Sequence, residues 1–597
     1  MAKSKYENYT KEQLLEKIKH LEKHRYGLIW EDKQEDVAEQ CDRELPVLHE
    51  DASREIKSKD GLPPNILIEG DNYHSLYSLS FTHKKNIDLI YIDPPFNTGA
   101  KNWKYNNHFV DANDPYRHSK WLSFMNKRLR IAKTLLKNDG SLICAIDKNE
   151  QSQLGMLLEK VFPSHEKHCI TIVHNPRGVQ GNNFSYTHEY AYFVIPSGKK
   201  IVEKRKIADD DIEWNNLRNW GSESLREDAK NCFYPIFINP KTKEIVRFGD
   251  VSPKTFHPKL ANIADGDLIQ VYPLDKNKAE RKWRYARQSV EQIRHLLRAR
   301  KKNKLWDIEI GKDFGIYKTV WLDPRYDANE YGTKIVKELV PSSDFDFPKS
   351  LYTVFDCLYA IVGDKKNSIV LDYFAGSGTT GHAVLELNDK DRGKRQFILC
   401  TNNEVGEAKE IEFKNKYNIG AKEFADWKKE GRKEWKEWCD LYGICSSVTY
   451  PRIKKVIKGY NGNKPIFANL KYFKAEFVPQ VITDNDKRVL VNRSTELLCL
   501  AENTFELVKQ SKRKVEFAIY RNQKQLTAII YDEDAIEKCK EELEALKPKG
   551  KTVIYVFSYD HEYNIEDFDD LTIRFDVKPI PEAILNVYRK ISKLRRK

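Results

Sequence analysis

The sequence predicts an α/β fold built on a parallel, doubly wound sheet that a large insert interrupts. Three observations carry this. From residue 65 onward, apolar runs of strand length alternate with helix-period segments, the pattern of crossover connections between parallel strands. The alternation breaks down between about 196 and 330 and resumes at Ser350. Two of the strands also end in uncommon turns, Asp93-Pro94-Pro95-Phe96 and Phe374-Ala375-Gly376-Ser377-Gly378.

The elements follow in order. Leu14, Leu15, Ile18 and Leu21 recur at helical spacing and predict a charged helical arm from about Thr10 to Tyr26. An acidic, irregular stretch is expected from Glu31 to Glu55. Asn65–Glu69 reads as a strand, the residues around Ser75–Phe81 as a helix, and Ile87–Ile92 as the strand that ends at Asp93. A polar loop with Trp103, Tyr105 and Phe109 should run from Asn97 to Asp114. Lys120–Leu136 is helical, Asn138-Asp139-Gly140 stops it, and Ser141–Ile146 and Tyr190–Ile195 are strands. After the insert come a helix over Ser350–Val362, a strand over Ile369–Asp372, a helix from about Thr380 and a strand over Gln396–Cys400. Five regions result: a helical arm (1–55), a first half of the sheet domain (56–196), the insert (197–330), a second half (331–410) and a mixed α/β C-terminal domain (411–597).

Composition narrows the function classes. The 597 residues exceed what one small core needs. A net charge of +13 suits a polyanionic partner, or simply solvated lysine faces. No apolar stretch reaches the ~20 residues that span a bilayer. The N-terminal residues lack the apolar run of a signal peptide, and the ten cysteines form no metal-spaced cluster. The expectation is a cytoplasmic protein with no membrane contact and no metal.

The chemistry lies in the two turns. Prolines at 94 and 95 fix φ and remove two amide donors, and Pro95 pushes Pro94 out of the helical region. The Pro94 carbonyl is then expected to stand as a free acceptor beside the Asp93 carboxylate, with the face of Phe96 close by. An amino group with two hydrogens can donate one to each acceptor. Alone, such a run is more often an ordinary strand stop. Gly376 and Gly378 let the backbone approach a ligand, as in nucleotide-binding turns, but no P-loop lysine follows. Glu404, just past the next strand, occupies the place that binds ribose hydroxyls in dinucleotide folds.

Together the two turns resemble the motifs of a DNA amino-methyltransferase family. Asp93–Phe96 is similar to its catalytic DPPY/F motif, and Phe374–Gly378 to its FxGxG cofactor motif. The catalytic motif comes first and the glycine motif far downstream, beyond the insert, which resembles the circularly permuted β class. The resemblance implies a Rossmann-like methyltransferase sheet, S-adenosylmethionine as cofactor, and a target-recognition insert. It implies catalytic roles for Asp93, Pro94, Pro95 and Phe96. It implies cofactor contacts for Asp71 in GDNYHSL, Lys349 and Ser350 in FDFPKSLY, and Asp372, Phe374, Gly376, Ser377, Gly378, Thr379 and Glu404. GNNFSYTHEY (Gly181–Tyr190) resembles a segment beside the target pocket, in which His188 near Glu189 reads as structural. Asp at 93 favours adenine N6 over cytosine N4 as the target. The base must leave the duplex to be reached.

The DPPFNTG form, the helical arm and the long C-terminal extension resemble the Mod subunit of Type III restriction–modification systems. That implies double-stranded DNA as substrate, a homodimer and a separate helicase–nuclease partner. Arg281, Lys282, Trp283, Arg284 and Arg287 mix cations with aromatics as DNA-backbone contacts do. Arg294, Arg298, Arg300, Lys301 and Lys302 fit either more such contacts or a solvated helix face. A stand-alone methyltransferase, an RNA methyltransferase and an inactive DNA-binding specificity factor are the competing readings. Intact Asp93, Gly376 and Gly378 argue against the last.

Overall fold

The computed structural model describes residues 9–596 except 24–27, 29, 33, 60, 106–107, 112, 182, 208–211, 344, 512–514, 549 and 560–561. A ten-stranded sheet organises the larger of two compact units, Met1–Glu203 with Lys318–Lys597. In chain order its strands are β1 (Glu44–Glu50), β2 (Pro64–Glu69), β3 (Ile87–Ile92), β4 (Leu136–Ile146), β5 (His165–Val173), β6 (His188–Pro196), β7 (Val320–Trp321), β8 (Ile369–Asp372), β9 (Gln396–Thr401) and β10 (Asn469–Pro479). They lie in the order β1-β10-β2-β9-β8-β3-β4-β6-β5-β7. The six from β10 to β4 are mutually parallel. β1 pairs antiparallel with β10, and β6 antiparallel with both β4 and β5. The parallel sheet expected from sequence is therefore the centre of a mixed one.

β3 is buried at every position, which is why it reads as one apolar run: central parallel strands are covered on both faces. Its single charge, Asp88, is tied down. Asp88 pairs with Lys137 at 2.8 Å and accepts from the Ile369 amide at 2.9 Å, stitching β3 to β4 and β8. From β3 the chain moves one way to β4, and from β8 it moves the other way to β9. The carboxyl ends of β3 and β8 thus flank a topological switch point, where open α/β sheets place their ligand crevice.

Several expectations need correction. The irregular stretch before Glu55 contains a helix, Asp36–Arg43, and the edge strand β1. The Asn97–Asp114 loop is a hairpin of Ala100–Tyr105 and His108–Asp111; the Trp103, Tyr105 and Phe109 side chains lie outside the described residues. The stretch from 411 is not a body apart. It supplies β10 to the sheet, and its last helix, Glu582–Arg596, packs on Asn72–Thr82, where Tyr77 Oη donates to the Tyr588 carbonyl at 3.0 Å. Local periodicity could not reveal that β2 pairs with a strand so far downstream. The C-terminal stretch also forms a separate five-stranded sheet, which includes Phe517–Arg521, Leu526–Ile530 and Thr552–Phe557.

The second compact unit is Lys204–Tyr317, narrower than the insert read as 197–330. It consists of small antiparallel sheets around a core that includes Tyr234, Ile236, Trp283, Val290 and Ile308.

Candidate active site

The carboxyl ends of the parallel strands open on a cavity of about 530 Å³. Asp71, Asp93, Pro95, Lys349, Asp372, Phe374, Gly376, Ser377, Thr379 and Glu404 all line it. Segments as distant in sequence as those of Asp71 and Glu404 thus meet there, because β2, β3, β8 and β9 belong to one run of the sheet. Pro94, Phe96, Ser350 and Gly378 are not on the lining. Ser350 is buried, and its hydroxyl donates to the Arg325 carbonyl at 2.7 Å.

At the end of β3, Asp93 does not stand alone. Lys349 Nζ sits 3.1 Å from Asp93 Oδ1 and 2.8 Å from Glu189 Oε2, and 4.3 Å from the centre of the Phe96 ring. The group is nearly dry: the Lys349 and Glu189 side chains are only 10% and 6% exposed. Burial pushes the Asp93 carboxyl up; Lys349 opposes that and Glu189 adds to it, and the result is a pKa of about 6. Burial works against the Lys349 ammonium, but the two carboxylates hold it above the ordinary lysine value. Two carboxylates around one ammonium leave a net charge of −1 when all three are ionised.

The turn itself is held from the helix that follows it. Trp121 Nε1, on the Arg117–Leu135 helix, donates to the Pro95 carbonyl at 2.7 Å. No hydrogen bond reaches the Pro94 carbonyl among the described residues. Asn97, the next residue after Phe96, is held in the left-handed region at φ 54°, a conformation that costs a non-glycine residue energy unless its side chain is fixed. Its amide donates to the buried carboxyl of Glu150, whose Oε1 also lies 2.7 Å from His118 Nδ1. Burial raises Glu150 to about 8.

At the end of β8, Asp372 accepts from the Phe374 amide at 2.9 Å and from the Thr380 hydroxyl at 2.5 Å. Burial lifts its carboxyl to about 7 against those two bonds. Gly376 and Gly378 both have positive φ, 47° and 78°. A Cβ on Gly376 would stand 2.9 Å from the Phe345 ring, so shape as well as backbone conformation asks for glycine there. At the end of β2, Asp71 caps the Asn72–Thr82 helix by accepting from the Tyr73 amide at 2.7 Å.

Residues 87–417 match the DNA methylase family, more than half of the chain. The chain belongs to that family. Among curated relatives, this methylase is 29% identical over 475 residues to the Type III restriction-modification enzyme EcoPI Mod subunit of Escherichia phage P1, covering 69% of each chain. It is 28% identical over 379 residues to the Type II methyltransferase M.KpnI of Klebsiella pneumoniae, covering 59% of this chain and 84% of the relative. Among solved structures, an M1.HpyAVI–SAM complex aligns at 14% identity with a TM-score of 0.26, covering 56% of this chain and 92% of that one. That likeness is too faint to bear on the chemistry.

The methylase's glycine turn has a further support that sequence reasoning missed. The Thr449 hydroxyl donates to the Gly376 carbonyl at 2.6 Å, and Arg452 Nη1 to Thr379 Oγ1 at 2.8 Å. Glu189 falls in the segment read as lying beside the target pocket, which assigns it no role of its own, and it is part of the Asp93 cluster. Its neighbour His188 instead stacks edge-on against Tyr190. Glu189 carried one signal, a lone acid in an otherwise apolar strand; Trp121, Glu150, Thr449 and Arg452 carried none.

The basic run of the insert is largely spent inside its own unit. Trp283 is fully buried, its Nε1 donating to the Tyr234 carbonyl at 2.8 Å, so it is core. Arg281 pairs with Asp275 at 2.9 Å, and Arg287 donates to the Phe248 and Gly249 carbonyls. Arg294 donates to the Ile245 and Val246 carbonyls. Arg298, Arg300, Lys301 and Lys302 are on a strand, Leu297–Lys302, rather than a helix face, and both arginines pair with Glu309. Arg284 is exposed, and Lys282 is half-buried.

Among the described residues, no group of three or more His, Cys, Asp or Glu could hold a metal ion, and no helix is long and apolar enough to cross a membrane.

Proposed function

We propose that this DNA methyltransferase moves a methyl group from S-adenosylmethionine to N6 of an adenine turned out of the duplex. The observation that carries the reading is the pair of acceptors at the end of β3. Asp93 is ionised above about pH 6, and the Pro94 carbonyl beside it accepts no hydrogen bond from the described residues. Both amine hydrogens of an adenine can be accepted there, which returns electron density to a nitrogen whose lone pair is delocalised into the ring. Phe96, fixed between Trp121's grip on Pro95 and Asn97's anchor on Glu150, offers a face for stacking. As the amine gains a methyl it becomes positive, and the net −1 charge of Asp93, Glu189 and Lys349 stabilises it in a dry setting. The proton then passes to Asp93, which leaves the cluster neutral.

The cavity suits the cofactor. Its volume lies in the range of small-molecule sites, roughly 300–1,000 Å³. Gly376 and Ser377 would hold the amino-acid portion, Glu404 the ribose hydroxyls and Asp71 the adenine end. When bound, the cofactor supplies a methyl made electrophilic by its sulfonium; the protein's part is in-line positioning.

The likeness to the EcoPI Mod subunit favours a place in a Type III restriction–modification system; a homodimer and a helicase–nuclease partner are what the motif resemblance implies. The Lys204–Tyr317 unit would read the DNA, with Lys282 and Arg284 as the backbone contacts left available by the fold. Sequencing DNA from cells expressing the gene, with modified-base detection, tests the reading. N6-methyladenine on one strand of a short asymmetric site is expected; N4-methylcytosine, or no modified base, contradicts it.

A further inference from the structure

Among the described residues, three arginines are fully buried: Arg128, Arg395 and Arg452. The first two have internal counter-charges, Arg128 with Glu35 at 2.7 Å and Arg395 with Asp391 at 2.8 Å. Arg452 has none among the described residues. Its Nη1 meets only neutral oxygens: the Ser377 carbonyl at 3.2 Å, Ser377 Oγ at 3.0 Å and Thr379 Oγ1 at 2.8 Å. Its Nη2 lies 3.4 Å from His382 Nδ1. A buried cation without a counter-charge is costly, and folds rarely keep one without a compensating anion.

We propose that Arg452, which lies behind the cavity lining and acts through the Ser377 and Thr379 hydroxyls it holds, supplies the positive charge of an anion subsite at the glycine-turn end of the cavity, and that it sets the preference for a ligand carrying a carboxylate there. The inference rests on the S-adenosylmethionine reading and concerns the carboxylate of its amino-acid portion.

Hydrogen-bond direction supports it. A guanidinium only donates, so Arg452 occupies lone pairs on both hydroxyls. Ser377 Oγ and Thr379 Oγ1 are 3.2 Å apart, so one donates to the other. The remaining hydroxyl proton is left to point away from Arg452, and both residues line the cavity. The partial positive charge at the start of the 13-residue Thr379–Asp391 helix acts in the same direction. Burial lowers Arg452 only to about 9, and it lowers His382 to about 4. At neutral pH the arginine is charged and the histidine is not. The acids on the lining, Asp71, Asp93, Asp372, Glu404 and Glu407, come from the ends of other strands, from the start of the turn or from the helix that begins at Glu407, and they disfavour an anion elsewhere in the cavity.

Isothermal titration with S-adenosylhomocysteine and with its decarboxylated analogue, on the full chain, tests this. Wild type should prefer the carboxylate-bearing ligand by about tenfold or more, the worth of a charge-assisted contact. Arg452→Gln should bring the two affinities within about twofold of each other, chiefly by weakening S-adenosylhomocysteine, while Arg452→Lys should keep most of the preference. A wild-type ratio retained in Arg452→Gln overturns the proposal. Should the glutamine variant not fold, the double variant Ser377→Ala, Thr379→Val removes the hydroxyl relay and must lose the preference in the same way; a retained ratio there overturns the proposal equally. If wild type binds neither ligand, it is the cofactor reading itself that fails.

Discussion

The two ends of the cavity are built by opposite means. At the end of β3, charge is concentrated and largely cancelled in place: two carboxylates share one lysine, and contacts from Trp121 and Glu150 lock the backbone. At the end of β8 the turn from Phe374 to Gly378 carries no ionised side chain, and a downstream helix supports it with a buried cation. The first end suits a reaction in which charge develops and moves. The second has donors left over and suits a ligand that arrives already charged. In this account, turnover and cofactor affinity respond to different residues.

That separation can be broken experimentally. The largest effect should come from Asp93→Ala, which removes one of the two amine acceptors and should cut methyl transfer roughly a thousandfold. Lys349→Met comes next. It leaves Asp93 and Glu189 facing each other without a cation, and two close carboxylates resist joint ionisation. The acid limb of the pH–rate profile should move above pH 7, with transfer at pH 7 down about 10- to 100-fold; an unmoved limb counts against the cluster. In wild type, kcat/KM should rise with pH through about 6 and then level off as Asp93 ionises. The same shift sets a sign for stability. The folded-state pKa is raised from 3.8 to about 6, so the fold holds this proton more tightly than the unfolded chain does. Its contribution to stability is therefore present at low pH and is lost as pH rises across that interval. A rate profile flat from pH 5 to 8 contradicts the assignment. The smallest effect belongs to the other end: Thr449→Val removes one neutral hydrogen bond to Gly376 and should weaken cofactor binding only about 2- to 10-fold, with turnover at saturating cofactor unchanged. A drop in that turnover would show that the two ends are coupled.

The cavity was legible in the sequence where one local segment determines both backbone and chemistry. Asp93-Pro94-Pro95-Phe96 and Gly376 to Thr379 are such segments, and strand–helix alternation was enough to put both at strand ends. Lys349 does reach the site, with two carboxylate neighbours that the sequence did not reveal. Its segment reads as a cofactor contact, and its ammonium is in addition held between Asp93 and Glu189. Arg452, Thr449, Trp121 and Glu150 were illegible because each acts on a turn well removed from it in sequence, and a lone Arg or Glu on a helix looks like any other surface charge. The insert misled in the opposite direction. Basic residues interleaved with aromatics looked like a DNA face, but Trp283 is core and Arg281 and Arg287 hold their own unit together. A run of cations does not say how many counter-charges the fold brings back to it.

In the proposed reaction, Asp93 grips the amine and does not hold the cofactor. The most direct measurement runs two readouts on one protein: N6-methyladenine formed in DNA by Asp93→Ala, by mass spectrometry of the digested nucleosides, and its affinity for S-adenosylhomocysteine by calorimetry. N6-methyladenine near background is expected, with affinity within about threefold of wild type, since the lost contact is to the substrate amine. Undiminished N6-methyladenine, or lost transfer matched by an equal loss of cofactor affinity, would contradict that role.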